Sequence, residues 1–279
     1  DQMVLDGDFT RINTLQTEDE KKFHISLLAM TGSPIAIADQ FNTIGKDAWL
    51  YQNEELLALN DLGFAGKPVS NDLHDIANSS TWIGQLPNGD WIAGLFNREE
   101  TVQERKIDFV ATLGLTKNAK YQVHDLWSHS PLGNYSNAFS ASLAPHTCKV
   151  IRITSNTRKY EAEVGTLMNG AGKRTAAGKA AGSSSYVAMD RDGSAVLIAV
   201  DVVKPGKHQL RLRCKSEKQS TAVLEVKTDN SSVSLRPVKG GDWGVITGEV
   251  DLNAGTNYIY ITCHGENQPG VDLDYIEVW

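Results

Sequence analysis

The stretch WIGQLPNGDWIAGLFN, Trp82–Asn97, holds two apolar runs on either side of Asn88-Gly89. Both residues of that pair accept a positive φ, so the spacing predicts a hairpin closed by a type I′ turn. KIDFVATL, YQVHDLW and KVIRIT continue the short runs as far as Thr154. Residues 65–155 therefore read as an antiparallel β-sandwich.

Upstream the rhythm is different. Thr17 with Glu20 three positions later makes a capping box, and Phe23, Leu27 and Met30 recur at helical spacing. The pattern predicts a helix from Thr17 to Thr31, ended by Gly32 in the left-handed position. SPIAIAD then reads as a buried strand, Asp47–Leu59 as a second helix, and MVLDGD as the strand before the first helix. Strand, helix, strand, helix is the order of a parallel α/β sheet or barrel. Two such units cannot close a barrel, so residues 1–64 read as the tail of a domain whose beginning lies elsewhere.

Downstream, the polar SNTRK leads into residues 156–279. The runs SSYVAMD, AVLIAVDV, HQLRLRC, AVLEVKT, GVITGEVDL and NYIYITC are parted by turns such as Pro205-Gly206 and Asn253-Ala254-Gly255. Their regular spacing predicts a β jelly-roll sandwich. The chain is thus multidomain, with a barrel-like remnant followed by two β units.

Composition narrows the partners. Among 279 residues, 27 basic against 34 acidic ones give a net charge of −7 with no sustained block of either sign, which argues against nucleic acid and for a neutral partner such as a sugar. No apolar run approaches the roughly 20 residues that a membrane helix needs. Cys148, Cys214 and Cys263 are odd in number, so at least one thiol is free. Cys214 and Cys263 both end strand-like runs and would pair if those strands are neighbours; buried free thiols are the other reading.

Acidic residues stand at both ends of the last unit, in YEAE (Tyr160–Glu163) and DLDYIEVW (Asp272–Trp279). Calcium takes six to eight oxygens at about 2.3–2.6 Å, from carboxylates and carbonyls. If Glu161 and Glu163 share a strand face and the last strand pairs beside the first, Asp274 completes a cluster. Spacing alone equally allows three solvated surface acids.

YEAE, SSSYVAMD, Trp243, GTNYIYI and VDLDYIEV together resemble a carbohydrate-binding module of family 35 over Tyr160–Trp279. The resemblance implies a structural Ca2+ held by Glu161, Glu163 and Asp274, and a sugar site in the loops at the strand ends. Asp272 stands where the family often has an Asn that touches the ligand, which leaves the ligand open. Tyr186 and Trp243 are the candidates for stacking on a pyranose, since a ring offers an apolar platform to its C–H face.

A second resemblance covers Asp1 to about Thr154. HISLLAMTGSPIAIAD, NEELLALNDLG and VHDLWSHSPLG are similar to the end of the (β/α)8 catalytic barrel, and the sandwich after it, in glycoside hydrolase family 27. That family holds α-galactosidases and an isomalto-dextranase, the latter also joined to a family 35 module. The resemblance implies a secreted, retaining, exo-acting α-glycosidase, with residues 1–64 supplying the seventh and eighth strand–helix units. Its nucleophile and general acid/base are two aspartates on earlier strands, so this chain holds no catalytic residue. Met3 and Gln2 match a substrate-contacting run, and Gln2 replaces the Asp that contacts the sugar. An α-1,6-glucan therefore stands beside an α-galactoside as substrate. The alternative is a calcium-stabilised carbohydrate-binding protein without catalysis.

Other constellations are weaker. His24, His124 and His129 read as core or surface histidines, and Asp6 with Asp8 lack a closed barrel to position a substrate. GAGKRTAAGKAAG lacks the spacing of a phosphate-binding loop and reads as a flexible loop.

Overall fold

The computed structural model describes residues 5–155, 158–175, 185–217, 220–265 and 269–279. It opens with β1 (Phe9–Thr10), α1 (Glu18–Thr31) and β2 (Ala36–Ile37), with Phe9 beside Ala36 in parallel. The first strand lies just after MVLDGD, whose described residues are not in a strand. Glu20 N donates to Thr17 Oγ1 at 3.1 Å and Thr17 N to Glu20 Oε2 at 2.8 Å, and Gly32 closes α1 at φ 71°. The capping box and the left-handed stop both form.

The second predicted helix, Asp47–Leu59, is split between a 3-10 helix (Gly45–Gln52), which follows the short α2 (Phe41–Ile44), and α3 (Glu54–Asp61). Asn53 causes the break. It sits in extended backbone, accepts from Leu56 N at 3.0 Å, and donates its amide to Leu126 O at 2.9 Å. A side chain that caps a new helix ends the old one.

The middle unit runs β3 (Lys67–Pro68), α4 (Ile76–Ser79), β4 (Thr81–Gln85), β5 (Trp91–Phe96), β6 (Gln103–Asp108), β7 (Tyr121–Asp125), β8 (Ser130–Tyr135), β9 (Ala138–Leu143) and β10 (Cys148–Ile153). Its main sheet has the order β3-β4-β5-β10-β7-β8, and β6 pairs with β9 as a separate ribbon. The β4–β5 hairpin closes differently from the type I′ expectation. Gly89 N donates to Leu86 O at 2.8 Å and only Gly89, at φ 90°, has positive φ. Pro87 sets the first central φ of a type I turn, and Gly89 then supplies the left-handed residue that returns the chain. KIDFVATL stops being strand at Asp108, whose carboxylate accepts from Val110 N and Ala111 N.

Every residue of β5 is buried because both faces of the sheet are covered. Trp91, Ala93 and Leu95 pack with Ile107, Phe109 and Phe139 on the ribbon side. Ile92 and Phe96 pack with Ile25, Met30, Leu56 and Leu59 from the helices. The apolar face that residues 1–64 would expose alone is thus partly covered by this sheet. At Gly94 an added Cβ would stand 2.9 Å from Met30 Cγ, so the glycine admits α1 closely.

The last unit contains β11 (Lys159–Glu161), β12 (Thr166–Met168), β13 (Gly172–Thr175), β14 (Ser185–Met189), β15 (Ala195–Val202), β16 (Gly206–Ser216), β17 (Val223–Lys227), β18 (Ser232–Leu235), β19 (Gly244–Leu252), β20 (Gly255–His264) and β21 (Val271–Val278). Two sheets form, β13-β14-β21-β16-β19 and β12-β15-β20-β17-β18, with β11 also paired to β21. Inward residues of both, among them Val187, Val196, Leu212, Ile259, Ile261 and Leu273, build one core, so the predicted sandwich forms. Part of GAGKRTAAGKAAG is strand β13 rather than loop; its remainder from Ala176 lies outside the described residues. Cys214 and Cys263 are buried free thiols on β16 and β20, strands of different sheets, and Cys148 is free as well. No helix among the described residues is long and apolar enough to cross a membrane.

Candidate functional site

Alternation along HQLRLRCKS in β16 turns Leu212 and Cys214 inward and Arg211, Arg213 and Lys215 outward. On the neighbouring β21, Lys215 faces Asp272 in register, and its Nζ lies 3.2 Å from Asp272 Oδ2. Arg213 Nη1 lies 2.6 Å from Asp274 Oδ2. Two rings close over these charges. Tyr186 projects from β14 and Trp243 precedes β19, and β21 and β16 lie between those strands in the sheet. The ring centroids nevertheless meet at 5.6 Å, edge to face.

The rings are not bare platforms. Lys215 Nζ stands 5.0 Å from the Trp243 centroid and 5.6 Å from that of Tyr186, and the Arg213 guanidinium stands 5.2 Å from Trp243. Beside them opens a cavity of about 200 Å³ lined by Arg174, Asp190, Lys215, Glu217, Asp272 and Gly241. Arg174 is ion-paired to Asp190. Burial pushes the Asp272 carboxyl above its usual range against the pull of Lys215. Tyr186, Trp243 and Asp272, singled out separately in sequence, therefore meet at one end of one sheet. Lys215, Arg174 and Asp190 were missed; the outward row Arg211, Arg213, Lys215 was the available signal.

A second cluster lies further along β21. β11 pairs with β21 so that Glu161 faces Tyr275, next to Asp274. Glu163 is not on that strand but in a 3-10 turn, Ala162–Val164, so the shared-face argument from period two fails there. The turn still buries Glu163, at 4% exposure, with Glu161 at 1% and Asp274 at 0%. Lys159 Nζ stands 2.6 Å from Glu161 Oε1 and over the Tyr275 ring. Glu161 Oε2 and Asp274 Oδ1 are buried without a hydrogen-bond donor. Burial pushes Glu161 well above the usual carboxylate range; Lys159 opposes this, while Glu163 and Asp274 add to it. Burial raises Asp274 to about 6 against Arg213.

Among the described residues no three His, Cys, Asp or Glu side chains are already gathered as a metal site. The donor chemistry still fits a hard cation. Orphaned buried carboxylate oxygens are costly, and an ion would satisfy them.

His124 and His129 converge on Glu55 of α3, at 2.9 and 2.7 Å. They are structural clasps between the helices and the sandwich, while His24 is a half-buried helix residue whose pKa burial lowers. Gln2 and Met3 lie outside the described residues.

A sandwich that buries helices on one face and continues into a second sandwich, with a charged cavity beside two rings at one sheet end, defines a tandem β-sandwich protein. Residues 77–153 match the family described as the alpha galactosidase C-terminal beta sandwich domain. Isomalto-dextranase from Arthrobacter globiformis is 32% identical over 99% of this chain and 47% of its own length. An α-galactosidase from Oryza sativa subsp. japonica is 29% identical over 50% of this chain and 33% of its own. The solved structure of the A. globiformis T6 isomalto-dextranase complexed with panose superposes with a TM-score of 0.88 at 31% identity, covering 99% of this chain and 50% of that one. The chain thus spans about half the length of the isomalto-dextranase it matches. Residues 77–153 are thus similar to the sandwich that closes α-galactosidases, and the whole chain is similar to about half of an isomalto-dextranase.

Proposed function

We propose that this chain is the C-terminal fragment of a secreted, retaining, exo-acting α-glycosidase, in which residues 156–279 serve as a family 35-like module that holds α-linked carbohydrate. In this reading residues 1–64 are the last two strand–helix units of the barrel, 65–155 are its accessory sandwich, and the two catalytic aspartates belong to the missing part of the same barrel. The observation that carries it is the meeting of Tyr186 and Trp243 over Lys215, beside a cavity that Lys215 and Asp272 line, in a chain similar along its whole length to an isomalto-dextranase.

The cavity suits a sugar in its chemistry. It offers paired donors and acceptors for hydroxyl groups, and the Tyr186 and Trp243 rings beside it offer apolar surface for C–H faces. Glu161, Glu163 and Asp274 would hold a structural Ca2+, whose contribution is to neutralise buried carboxylates and fix β11 against β21. It takes no part in sugar chemistry.

Native affinity electrophoresis through gels containing dextran or galactomannan tests the reading. Retardation of the chain by one of these polymers, abolished in Trp243→Ala, is the expected result. Equal mobility with and without both polymers would remove the binding role. Hydrolysis of nitrophenyl α-galactoside or isomaltosides by this chain alone would contradict the location assigned to the catalytic aspartates.

A further inference from the structure

Among the described residues, both cations that line the cavity are already paired with a carboxylate. Lys215 is ion-paired to Asp272 and Arg174 to Asp190, while Glu217 adds a third carboxylate to the lining. Lys215 is further held by the two rings, with its ammonium 5.0 Å from the Trp243 centroid and 5.6 Å from that of Tyr186. Neither cation is left uncompensated to attract an anionic sugar. A uronate entering here would have to break an ion pair or sit beside carboxylates, which costs binding energy that a hydroxyl does not. A neutral sugar can donate to Asp272 and accept from Lys215 without disturbing the balance.

We propose that the Lys215–Asp272 pair is the specificity determinant of this site, making it selective for uncharged glycans against both uronic acids and amino sugars. The proposal rests on the reading that the cavity binds carbohydrate. It assigns Lys215 a role that packing alone would not give. Removing one member of the pair frees the charge of the other, so the preference must switch sign with the member removed. Lys215→Met leaves Asp272 to attract a cationic sugar, and Asp272→Asn leaves Lys215 to attract an anionic one. A residue that merely supports the rings would weaken all ligands together.

The test is calorimetric titration of the full chain and both variants with four probes: isomaltotriose, α-1,6-galactobiose, trigalacturonate and the fully deacetylated glucosamine trimer. Salt near 150 mM keeps the net charge of the chain from dominating, since the Debye length is then about 8 Å. The unaltered chain should bind at least one neutral probe clearly more tightly than either charged one. Asp272→Asn should gain roughly tenfold for trigalacturonate, and Lys215→Met roughly tenfold for the glucosamine trimer, as expected when one desolvated charge is released. Thermal melts of both variants identify any loss due to unfolding, and Lys215→Arg, which keeps the charge, should keep the neutral preference. If the unaltered chain binds a neutral probe while neither variant shifts toward its charged one, the specificity role is wrong and the sugar site stands. If the unaltered chain binds only charged probes, the specificity role is likewise overturned. Binding of none of the four overturns the site itself and this inference with it.

Discussion

The Tyr160 hydroxyl donates to the Pro87 carbonyl across 2.9 Å, joining the first strand of the last unit to the tip of the β4–β5 hairpin. Asp201 N donates to the same oxygen at 2.6 Å. Gln85 reinforces the junction, with its amide nitrogen donating to Lys159 O at 2.7 Å and its amide oxygen accepting from Glu161 N at 3.1 Å.

These contacts predict an order of sensitivity. Tyr160→Phe leaves Pro87 O with its second donor and should cost about 1 kcal/mol. Gln85→Ala strips a partner from three backbone groups, Gly89 O, Lys159 O and Glu161 N, and should cost more, about 1–3 kcal/mol for each group left buried and unmet. Urea unfolding of the two variants checks this; an equal or reversed order would mean that the junction is not held by Gln85.

Calcium should stabilise the chain at neutral pH. At one hundred times its Kd an ion that binds only the folded state adds about 2.7 kcal/mol. The melting temperature should therefore rise with calcium, fall with a chelator, and respond less in Glu161→Gln. A melt indifferent to calcium in both proteins would leave the buried acids to Lys159 and Arg213 alone.

The Glu55 clasp gives a pH dependence. Burial raises the Glu55 carboxyl, but the hydrogen bonds from His124 and His129 outweigh it and hold the pKa below 4.5. A depressed carboxylate contributes stability above its unfolded pKa, and loses it as pH falls through the lower folded value. The stability gap between the chain and Glu55→Gln should thus be present at pH 6 and shrink below pH 4.5. The side chain is a third exposed, so the gap stays under about 1 kcal/mol. A gap that widens on acidification would contradict the assignment.

Gly84 tests the helix–sheet junction. An added Cβ there would lie 2.4 Å from Phe64 Cε2, which is itself packed in the shared core. Gly84→Ala should cost about 1–3 kcal/mol through overpacking, measured by denaturant melts. A neutral substitution would show that Phe64 has room to move.

Much of this architecture was legible because local signals agreed with the tertiary outcome. The capping box at Thr17 and Glu20 and the glycine stop at Gly32 act within a few residues, so they survive any packing. Asn53 was read through as part of a helix because its break depends on Leu126, a partner 73 residues away. The turn at Asn88-Gly89 was placed correctly but mistyped, since Pro87 outranked the dipeptide. At the site, residue type was enough to pick out Tyr186, Trp243 and Asp272. Lys215 was missed because its meaning comes from register: a lysine at the end of a strand says nothing until the opposing residue is known.

Strand β21 has β16 along one edge, and β14 followed by β11 along the other. It is the last of these strands to leave the ribosome, yet it belongs in the middle of the sheet. Until it is synthesised, β14 and β16 present open hydrogen-bonding edges toward each other's place, and nascent chains could cross-pair there. A premature stop a few codons before Val271 would therefore do more than trim the fold: it would yield an aggregation-prone product from an otherwise intact message.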